Sequence, residues 1–362
     1  MRSAWLPFAL LLALGTLLLG PQPAAAGDPF YKGKRLVMLI NFAAGGPTDI
    51  EGRLLARHLG KHIEGNPSIV IQNMDGAGGL IGANYLGKVA PKDGTMMGYF
   101  TGATWVAANE PERYETKFDS YQFVAYQGGT SVYVLRSDTA PGMKQATDIA
   151  HAKGLVAGGL EAGQAKDLLI RLTLEMLGVP FRYVTGYRSN TNVRLALQNG
   201  EVNFLSESPP GYLTAIQPEL VKTGEAIPVF YDPAWNGETL GISKQVAGLP
   251  ILPFQELYKQ IKGAPPAGRL WDAYLTILGV NSAMQRLIVL PPGAPQEAVA
   301  ALQTAVLRLD EDKAFAEESM RAVGFTPDYV AGPETARQIR QVTSLKPEMR
   351  GFLADYAKAQ RK

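Results

Sequence analysis

The chain has 362 residues, a formal net charge of +2 and no cysteine. The lack of cysteine excludes disulfides, thiolate metal sites and cysteine nucleophiles. The near-neutral charge, without runs of Lys and Arg, argues against nucleic acid and against an anionic membrane surface as partners. A chain of this length usually folds as two domains.

Residues 1–26 are predicted to be a signal peptide. Arg2 provides a positive start, an apolar stretch runs from Trp5 to Leu19, and the small residues Ala24–Ala26 fit a cleavage site. The apolar stretch is too short for a membrane-spanning helix, which needs about 20 residues. We therefore expect an exported, periplasmic protein whose mature chain starts at Gly27.

The first part of the mature chain alternates strands with helices. The apolar run from Arg35 to Phe42 is typical of a strand buried on both faces of a parallel sheet. A loop of small residues follows, and then a helix on which Ile50, Leu54 and Leu59 recur at helical spacing. The same succession of strand, small loop and helix returns from Gly154 onwards. The pattern predicts two similar lobes of the parallel α/β type.

The first of these loops, from Ala43 to Gly46, lies directly before a helix. Thr48 and Glu51 stand three residues apart at the helix start and predict a capping box. Ligands of open α/β sheets bind beyond the carboxyl ends of the strands, where a helix N-terminus attracts anions through its free N–H groups and its dipole. The alternative is that Gly45 and Gly46 only form a tight turn, and the loop alone does not decide between the two.

Three further loops of small residues follow predicted strands: Gly76–Gly79, Glu161–Gln164 and Thr185–Tyr187. If both lobes contribute such loops, backbone amides converge on a cleft from two sides and favour an anion site. The dinucleotide-binding and P-loop motifs do not occur in the sequence. Residues Ser206–Ser208 are interpreted as another strand-end loop that lines the cleft.

Catalytic and metal-binding patterns are weak. The sequence has no G-x-S-x-G motif, and no histidine is placed to activate a serine. His58 and His62 stand four residues apart on one predicted helix, a spacing that can share a metal ion. They lie far from the loop at the helix start, so two solvated surface histidines are the preferred interpretation. We expect no metal, no cofactor and no catalytic residue.

The stretch from Asn41 to Thr95 resembles the receptors of tripartite tricarboxylate transporters, the Bug or TctC-like family. The family signature contains P-F-x-x-G-G-x-x-D, then N-x-x-G-A-G-G-x-x-G-A, and then a segment with Ala, Pro, Asp, Gly and Thr. The residues that match are Phe42, Gly45, Gly46, Asp49, Asn73, Gly76, Ala77, Gly78, Gly79, Gly82, Ala83, Ala90, Pro91, Asp93, Gly94 and Thr95. The resemblance covers nearly the whole mature chain, more loosely between residues 210 and 283.

This resemblance implies an α/β fold of the Venus-flytrap type, in which each of two lobes is a mostly parallel sheet flanked by helices. Residues 27–124 and 284–362 would form lobe one, and residues 125–283 lobe two, because the segment from Val289 is similar to the family's return to the first domain. A protein of this kind is a periplasmic monomer. It captures a small organic carboxylate and hands it to a membrane permease built from one large and one small subunit.

The resemblance also implies that backbone amides and small side chains of the strand-end loops hold the ligand carboxylate. In lobe one it points to Ala43, Ala44, Gly45, Gly46, Thr48, Gly76, Ala77, Gly78, Gly79, Thr101 and Gly102. In lobe two it points to Ala162, Gly163, Gln164 and Ser206. Lobe two departs from the family, with Gln164 and Asp167 in place of Ser and His, Tyr187 and Arg188 within a changed Tyr-Lys-Gly motif, and Glu207 in place of Asp. These departures leave the identity of the ligand open.

Backbone amides alone give a borderline affinity. About four hydrogen bonds to a charged group contribute roughly 6–12 kcal/mol, association costs at least about 4 kcal/mol, and micromolar binding needs about 8 kcal/mol. Burial of the ligand's carbon skeleton on closure, or a second charged contact, is expected to supply the rest. Lys166 and Arg188 are the candidates for that contact, and for each of them a surface charge is the preferred alternative. Trp105 either packs on the ligand or belongs to the core. Asp49, Tyr187 and Glu207 are further candidates beside these loops.

Two other functions stay open from the sequence. A periplasmic hydrolase or transferase on the same scaffold would need a nucleophile with an activating base, and none is visible. A sensor would dock its liganded form on a membrane kinase instead of a permease. The sequence does not identify the carboxylate, because the family spans amino acids, citrate-like acids, dicarboxylates and aromatic acids.

Overall fold

The computed structural model describes residues 28–235, 238–281 and 283–359. The predicted signal peptide lies outside these ranges. Within them, no helix combines the length and the apolar character that crossing a membrane requires.

The strands in the described part of the chain form two main sheets and one hairpin. In chain order they are β1 (Arg35–Ile40), β2 (Ser68–Asn73), β3 (Met96–Thr101), β4 (Gln122–Gln127), β5 (Val132–Arg136), β6 (Leu155–Gly158), β7 (Phe181–Val184), β8 (Phe204–Glu207), β9 (Ala226–Tyr231), β10 (Ala234–Trp235), β11 (Leu240–Gly241), β12 (Arg286–Leu290) and β13 (Val330–Ala331).

The helices surround the two sheets. In chain order they are α1 (Pro47–His62), α2 (Leu80–Lys88), α3 (Ala103–Asn109), α4 (Ala165–Leu177), α5 (Asn190–Gln198), α6 (Pro209–Gly211), α7 (Phe254–Lys262), α8 (Arg269–Asn281), α9 (Gln296–Leu307), α10 (Lys313–Ala322), α11 (Thr335–Thr343) and α12 (Pro347–Ala359). The short α6 continues directly into a π-helix at Tyr212–Val221.

The first sheet has the strand order β13-β4-β12-β3-β1-β2, and the second has the order β7-β6-β8-β5-β9. In the first sheet β1 is parallel to β2 and β3, whereas β12 is antiparallel to both of its neighbours. In the second sheet β6 is parallel to β7 and β8, whereas β5 is antiparallel to both of its neighbours. The α/β fold of two helix-flanked sheets is confirmed, and both sheets are mixed.

The reversed strands have a geometric cause. The chain leaves the first sheet after β4 and enters the second at β5, and it returns through α8 to enter the first sheet again at β12. A strand that arrives from the other sheet starts at the edge where the parallel strands end, so it must run against them. The two connections also touch, because the Gln285 side chain donates to the carbonyl of Thr130 at 3.0 Å.

Each sheet is covered on both faces, as the apolar runs predict. In the first lobe, which we define as the first sheet with its helices, α1, α9 and α10 pack on one face and α2, α3 and α11 on the other. In the second lobe, α4, α7 and α8 cover one face, and α5 with the π-helix covers the other.

The C-terminal helix α12, which the sequence assigns to lobe one, packs against both lobes. Its residue Leu353 is buried in the same apolar cluster as the α4 and α8 side chains of the second lobe. The hydroxyl of Tyr356 donates to Glu175 of α4 at 2.7 Å. Strand β4 also extends past the predicted lobe boundary at residue 124, because it continues within the first sheet to Gln127. The sheets thus show which strands pair, while the lobe boundaries at 124 and 284 stay a prediction.

Candidate ligand-binding site

A cavity of about 80 Å³ lies between the two lobes. By the measure in which one water takes about 10–15 Å³, it has room for roughly five to eight waters or for one small organic molecule. Residues of both lobes and of the connections between them line its wall: Phe42, Ala43, Gly46, Pro47, Thr48, Thr101, Gly102, Trp105, Ser131, Leu160, Gln164, Ala165, Lys166, Ser189, Asn190, Ser208, Asn281, Gln285 and Arg286.

Helices from both lobes begin at this wall. The N-cap residues of α1, α4 and α5, which are Gly46, Gln164 and Ser189, all line the cavity. The N-caps of the shorter α3 and α6, Gly102 and Ser208, line it too. The first N–H groups of a helix have no partner within the helix, and its N-terminus carries a partial positive charge. The backbone alone therefore makes the cavity favourable for an anion.

The start of α1 differs from the predicted capping box, which is wrong. The N-cap is Gly46, without a side-chain cap, and Pro47 is the first helical residue, a position that suits its fixed φ and missing N–H. The Thr48 hydroxyl instead lies 3.1 Å from the Thr101 hydroxyl, and Glu51 pairs with Arg286. Because α1 begins at Pro47, Thr48 is a helical residue and not the N-cap, and it lines the cavity wall.

Asp49 fixes the shape of the loop before α1. Its carboxylate accepts hydrogen bonds from the Gly45 N–H at 2.9 Å, from Arg53 at 2.8 Å and from Asn73 at 2.9 Å. Burial raises the pKa of Asp49, but these hydrogen bonds lower it by a larger amount, so the pKa lies below its usual value. Gly45 has a φ of +79°, a conformation that glycine adopts without strain. Asp49 therefore supports the loop from behind and does not line the cavity.

Arg286 is a cavity residue that the sequence interpretation missed. It opens β12, is only 2 % exposed, and forms a buried ion pair with Glu51 of α1. Its Nη1 donates to the Thr101 hydroxyl at 2.9 Å. Burial lowers the pKa of Arg286, but the Glu51 carboxylate raises it more, so the guanidinium stays charged. The only sequence signal was a single charge at the start of the apolar run RLIVL.

Lys166 is the second cation at the cavity. It lies in the first turn of α4, and its ammonium has neither a hydrogen bond nor an ion pair among the described residues. The neighbouring Asp167, its expected partner, instead accepts from the Leu160 N–H at 2.7 Å and from the Tyr183 hydroxyl. Burial lowers the pKa of Lys166. An unpaired ammonium at a cavity wall is a group that an anion would satisfy.

The residues proposed from the sequence fall into three sets. Eight of them line the cavity: Ala43, Gly46, Thr48, Thr101, Gly102, Trp105, Gln164 and Lys166. Six line a second cavity of about 380 Å³ that adjoins the first: Gly76, Ala77, Gly78, Gly79, Tyr187 and Arg188. The two cavities share Phe42, Leu160 and Gln164 in their walls.

At the second cavity the loop with Gly78 meets the second lobe. A Cβ atom on Gly78 would lie 2.2 Å from the Nε2 atom of Gln164. Arg188, whose side chain is 80 % exposed, forms an ion pair with Asp75 at 2.9 Å. Gly78 and Arg188 thus take part in contacts between the lobes, and neither lies at the main cavity.

The remaining seven residues line neither cavity: Ala44, Gly45, Asp49, Ala162, Gly163, Ser206 and Glu207. The carbonyl of Gly163 accepts from the Trp105 indole across the lobes at 2.8 Å. Glu207 accepts from the Asn190 amide at 2.7 Å and from the Ser208 N–H at 2.8 Å, and so orders two residues that do line the cavity. Which residues contact a ligand stays a prediction for all three sets.

Other cavity residues escaped the sequence interpretation. Ser189 is an N-cap, and a serine before a helix is too common to indicate a site by itself. Ser208, in contrast, belongs to the loop Ser206–Ser208 that the sequence assigns to the cleft, and it lines the cavity. Ser131 and Gln285 belong to the connections between the sheets, and only the folded chain brings these to the cavity.

His58 and His62 lie away from the cavity and are not solvated as the sequence suggested. His58 is buried with its Nε2 atom 2.6 Å from Glu318, and the Nε2 atom of His62 is 2.9 Å from Asp312. Both acids belong to the segment that packs against α1. Over the described ranges no cluster of His, Cys, Asp and Glu has the arrangement of a metal site.

The fold of two helix-flanked sheets is similar to that of several solved periplasmic binding proteins. The structure is similar to that of BugD, with a TM-score of 0.65 and 19 % identity over 90 % of this chain and 98 % of BugD. It is also similar to MatC from Rhodopseudomonas palustris, solved with malate, with a TM-score of 0.62 and 18 % identity over 90 % of this chain and 99 % of MatC. The structure is also similar to a further R. palustris protein, solved with adipate. The TM-score is 0.60 and the identity 20 %, over 91 % of this chain and 97 % of that protein.

No family model matches the sequence. Among curated proteins, a UPF0065 protein of Agrobacterium vitis is 26 % identical over 216 residues, which are 58 % of this chain and 60 % of that protein. The chain thus spans about 60 % of the length of the curated relatives it matches. At these identities the similar structures establish the fold, and at that level they confirm the resemblance to the BugD and TctC receptors.

Proposed function

We propose that the protein is a periplasmic receptor that encloses a small organic carboxylate between its lobes and delivers it to a tripartite tricarboxylate-type permease. The observation that carries this proposal is the meeting of helix N-termini from both lobes, together with Lys166 and Arg286, at one cavity. The similarity to binding proteins solved with malate and with adipate supports it.

The polar groups of the cavity suit a carboxylate. The starts of α1 and α4 offer unpartnered N–H groups, and the hydroxyls of Thr48 and Thr101 lie on the same wall. Hydrogen bonds to a charged group contribute about 1.5–3 kcal/mol each. The charges of Lys166 and Arg286 supply the second contact that backbone amides alone would need to reach micromolar affinity.

The apolar part of the wall suits a short carbon skeleton. Phe42, Pro47 and Leu160 have apolar side chains and line the cavity. Trp105 is 2 % exposed and its indole N–H is already bonded to Gly163, so the ring offers apolar surface to a ligand. Burying this skeleton adds about 25 cal/mol for each Å² removed from water.

Closure of the lobes is the step that encloses the ligand. The lobes are in contact through the Trp105–Gly163 hydrogen bond and through an ion pair between Arg113 and Glu161 at 3.2 Å. We assign the hinge to the two connections between the sheets, after β4 and before β12. A ligand that binds the closed form better shifts the population towards it, and a permease that recognises this form receives only loaded receptor.

The residues at the cavity favour a receptor over a hydrolase. Its serines Ser131, Ser189 and Ser208 have no imidazole nearby, because all three histidines of the chain, His58, His62 and His151, lie outside the cavity wall. A serine nucleophile needs an activating base, which is most often a histidine.

A thermal-shift and calorimetry panel of mono-, di-, tri- and aromatic carboxylates tests the proposal, with the uncharged diamides as matched controls. We expect at least one carboxylate to raise the Tm and to be recovered unchanged, since a ligand at 100 times its Kd adds about 2.7 kcal/mol of stability. Binding of none, or conversion to a product, would contradict a receptor role. Uptake by cells lacking the receptor gene tests delivery to the permease.

A further inference from the structure

On the basis of the proposed function, we infer that Lys166 is a specificity-determining residue that selects a ligand with two separated anionic groups. One group would be held by the first lobe at the start of α1, and the other by the Lys166 ammonium on the second lobe. The inference starts from the division of the donors between the lobes.

Each lobe presents a complete set of donors to the cavity. The first lobe supplies the start of α1, the hydroxyls of Thr48 and Thr101, and the Arg286 guanidinium. The second lobe supplies the starts of α4 and α5 and the Lys166 ammonium. A single carboxylate can engage one set in full, whereas a dicarboxylate that spans the cavity can engage both.

Lys166 has no ion-pair partner in the described part of the chain, although three acids surround it, and each of these acids accepts hydrogen bonds from other groups. Asp167 accepts from the Leu160 N–H and the Tyr183 hydroxyl. Glu207 accepts from Asn190 and Ser208.

Asp232 accepts from the hydroxyls of Tyr133, at 3.1 Å, and of Tyr274, at 2.9 Å. These acids act on Lys166 through space, as charges that partly oppose the effect of burial on its pKa. None of them forms an ion pair with it in the described part of the chain.

The two cations line the same cavity from different lobes. Arg286 acts on Lys166 as a like charge, although Glu51 offsets most of the Arg286 charge through its ion pair. Burial is the largest influence on Lys166, so closing the cleft without a ligand desolvates an ammonium that has no ion pair, which opposes closure. An anionic group at Lys166 removes this opposition, and a dianion can do so while its other group stays at the start of α1.

The experiment compares each diacid with its own monoamide, which keeps the shape and removes one charge. The probes are succinate, glutarate and adipate with succinamate, glutaramate and adipamate, and calorimetry measures the Kd of each. For the best diacid we expect the wild type to bind at least about 30-fold more tightly than the monoamide. In Lys166→Met the ratio of the two affinities should fall to about one, whereas Lys166→Arg should keep most of it.

Lys153→Met is the matched control, because Lys153 is an exposed lysine of the same lobe; both affinities should stay as in the wild type. The unliganded Tm of Lys166→Met should be equal to or above that of the wild type, since an unpaired charge is removed. A wild type that binds the monoamide as tightly as the diacid would overturn the inference and leave the receptor proposal standing. So would a Lys166→Met protein that loses both affinities equally. A folded wild type that binds no carboxylate at all overturns both proposals.

Discussion

The two walls of the cavity differ in whether their charged groups have partners within the protein. On the first lobe the charged groups have partners within the protein: Arg286 pairs with Glu51, and Asp49 accepts hydrogen bonds from three donors. On the second lobe Lys166 has no such partner in the described structure. On the proposed function, the first wall is therefore formed before the ligand arrives, and the ligand supplies the partner that Lys166 lacks.

Asp49 of the first lobe differs in the same sense from two buried carboxylates of the second lobe, whereas burial also raises the pKa of Glu51 in the first lobe. Hydrogen bonds hold the pKa of Asp49 below its usual value despite burial. In the second lobe, burial raises the pKa of Asp167 to about 6 and that of Asp232 to about 7. Variants of residues from both lobes test whether the charged groups of the first lobe are paired and those of the second are not.

The largest effect is expected from Arg286→Met. This change leaves Glu51 buried without its partner, and breaking a buried ion pair from one side costs about 3–5 kcal/mol of the free energy of unfolding. Urea unfolding monitored by circular dichroism measures it. The double variant with Glu51→Gln should recover most of the loss, and a single variant that loses under about 1 kcal/mol would show that the first wall does not depend on this pair.

Gly46→Asp should abolish carboxylate binding while the protein still folds. A Cβ at Gly46 meets only the Ala43 carbonyl at 3.5 Å, and Asp is a favourable N-cap residue. Its carboxylate would occupy the place of the ligand's own, so we expect at least a 100-fold weaker affinity, or about 2.7 kcal/mol. Calorimetry measures it, with the neutral Gly46→Asn as control. An unchanged affinity in the folded Asp variant would remove the α1 start from the site.

Asp232→Asn should change how stability depends on pH. Burial raises the pKa of Asp232 to about 7, although hydrogen bonds from Tyr274 and Tyr133 lower it. The folded state therefore keeps a proton that the unfolded chain has already lost above about pH 4, and the wild-type stability falls as the pH rises towards 7. Relative to the wild type, the variant should gain about 2 kcal/mol between pH 5 and pH 8.

Denaturant unfolding at several pH values measures this gain, and Asp167 contributes a similar slope to both proteins. Asp49→Asn is the control from the first lobe, where the lowered pKa gives the opposite sign. That variant should be less stable than the wild type at neutral pH, and the difference should shrink as the pH falls below the usual pKa of a carboxyl. If the free energy of unfolding changes with pH equally in the wild type and in Asp232→Asn, the contrast between the carboxylates of the two lobes is contradicted.

The same contrast separates what the sequence predicts from what it does not. The glycine loops of the first lobe are visible because a run such as AAGG is rare and has a backbone meaning, and the structure places Gly46 and Gly102 at the cavity. The α/β fold follows from the same alternation of strands and helices. The signature loop with Gly78 was assigned to ligand contacts, yet it meets Gln164 of the other lobe.

What the sequence does not predict depends on contacts between distant segments. Arg286 is 235 residues from Glu51 along the chain, and only the antiparallel insertion of β12 beside β3 brings them together. Ser189 has the sequence pattern of an ordinary helix cap, and only the fold brings it to the cavity wall. The capping box at Thr48 failed because a good local pattern was overruled by Pro47 at the first helical position.

The smallest effect is expected at the rim, from Arg188→Ala. Its ion pair with Asp75 joins the lobes at 2.9 Å, but the Arg188 side chain is 80 % exposed, and such pairs contribute about 0–1 kcal/mol. Because the pair exists only when the lobes meet, its loss should weaken ligand affinity up to about 5-fold, more at low salt, without lowering the Tm of the unliganded protein. A double-mutant cycle with Asp75→Ala isolates the coupling. A coupling well above 1 kcal/mol would mean that the rim, and not the unpaired Lys166, controls closure.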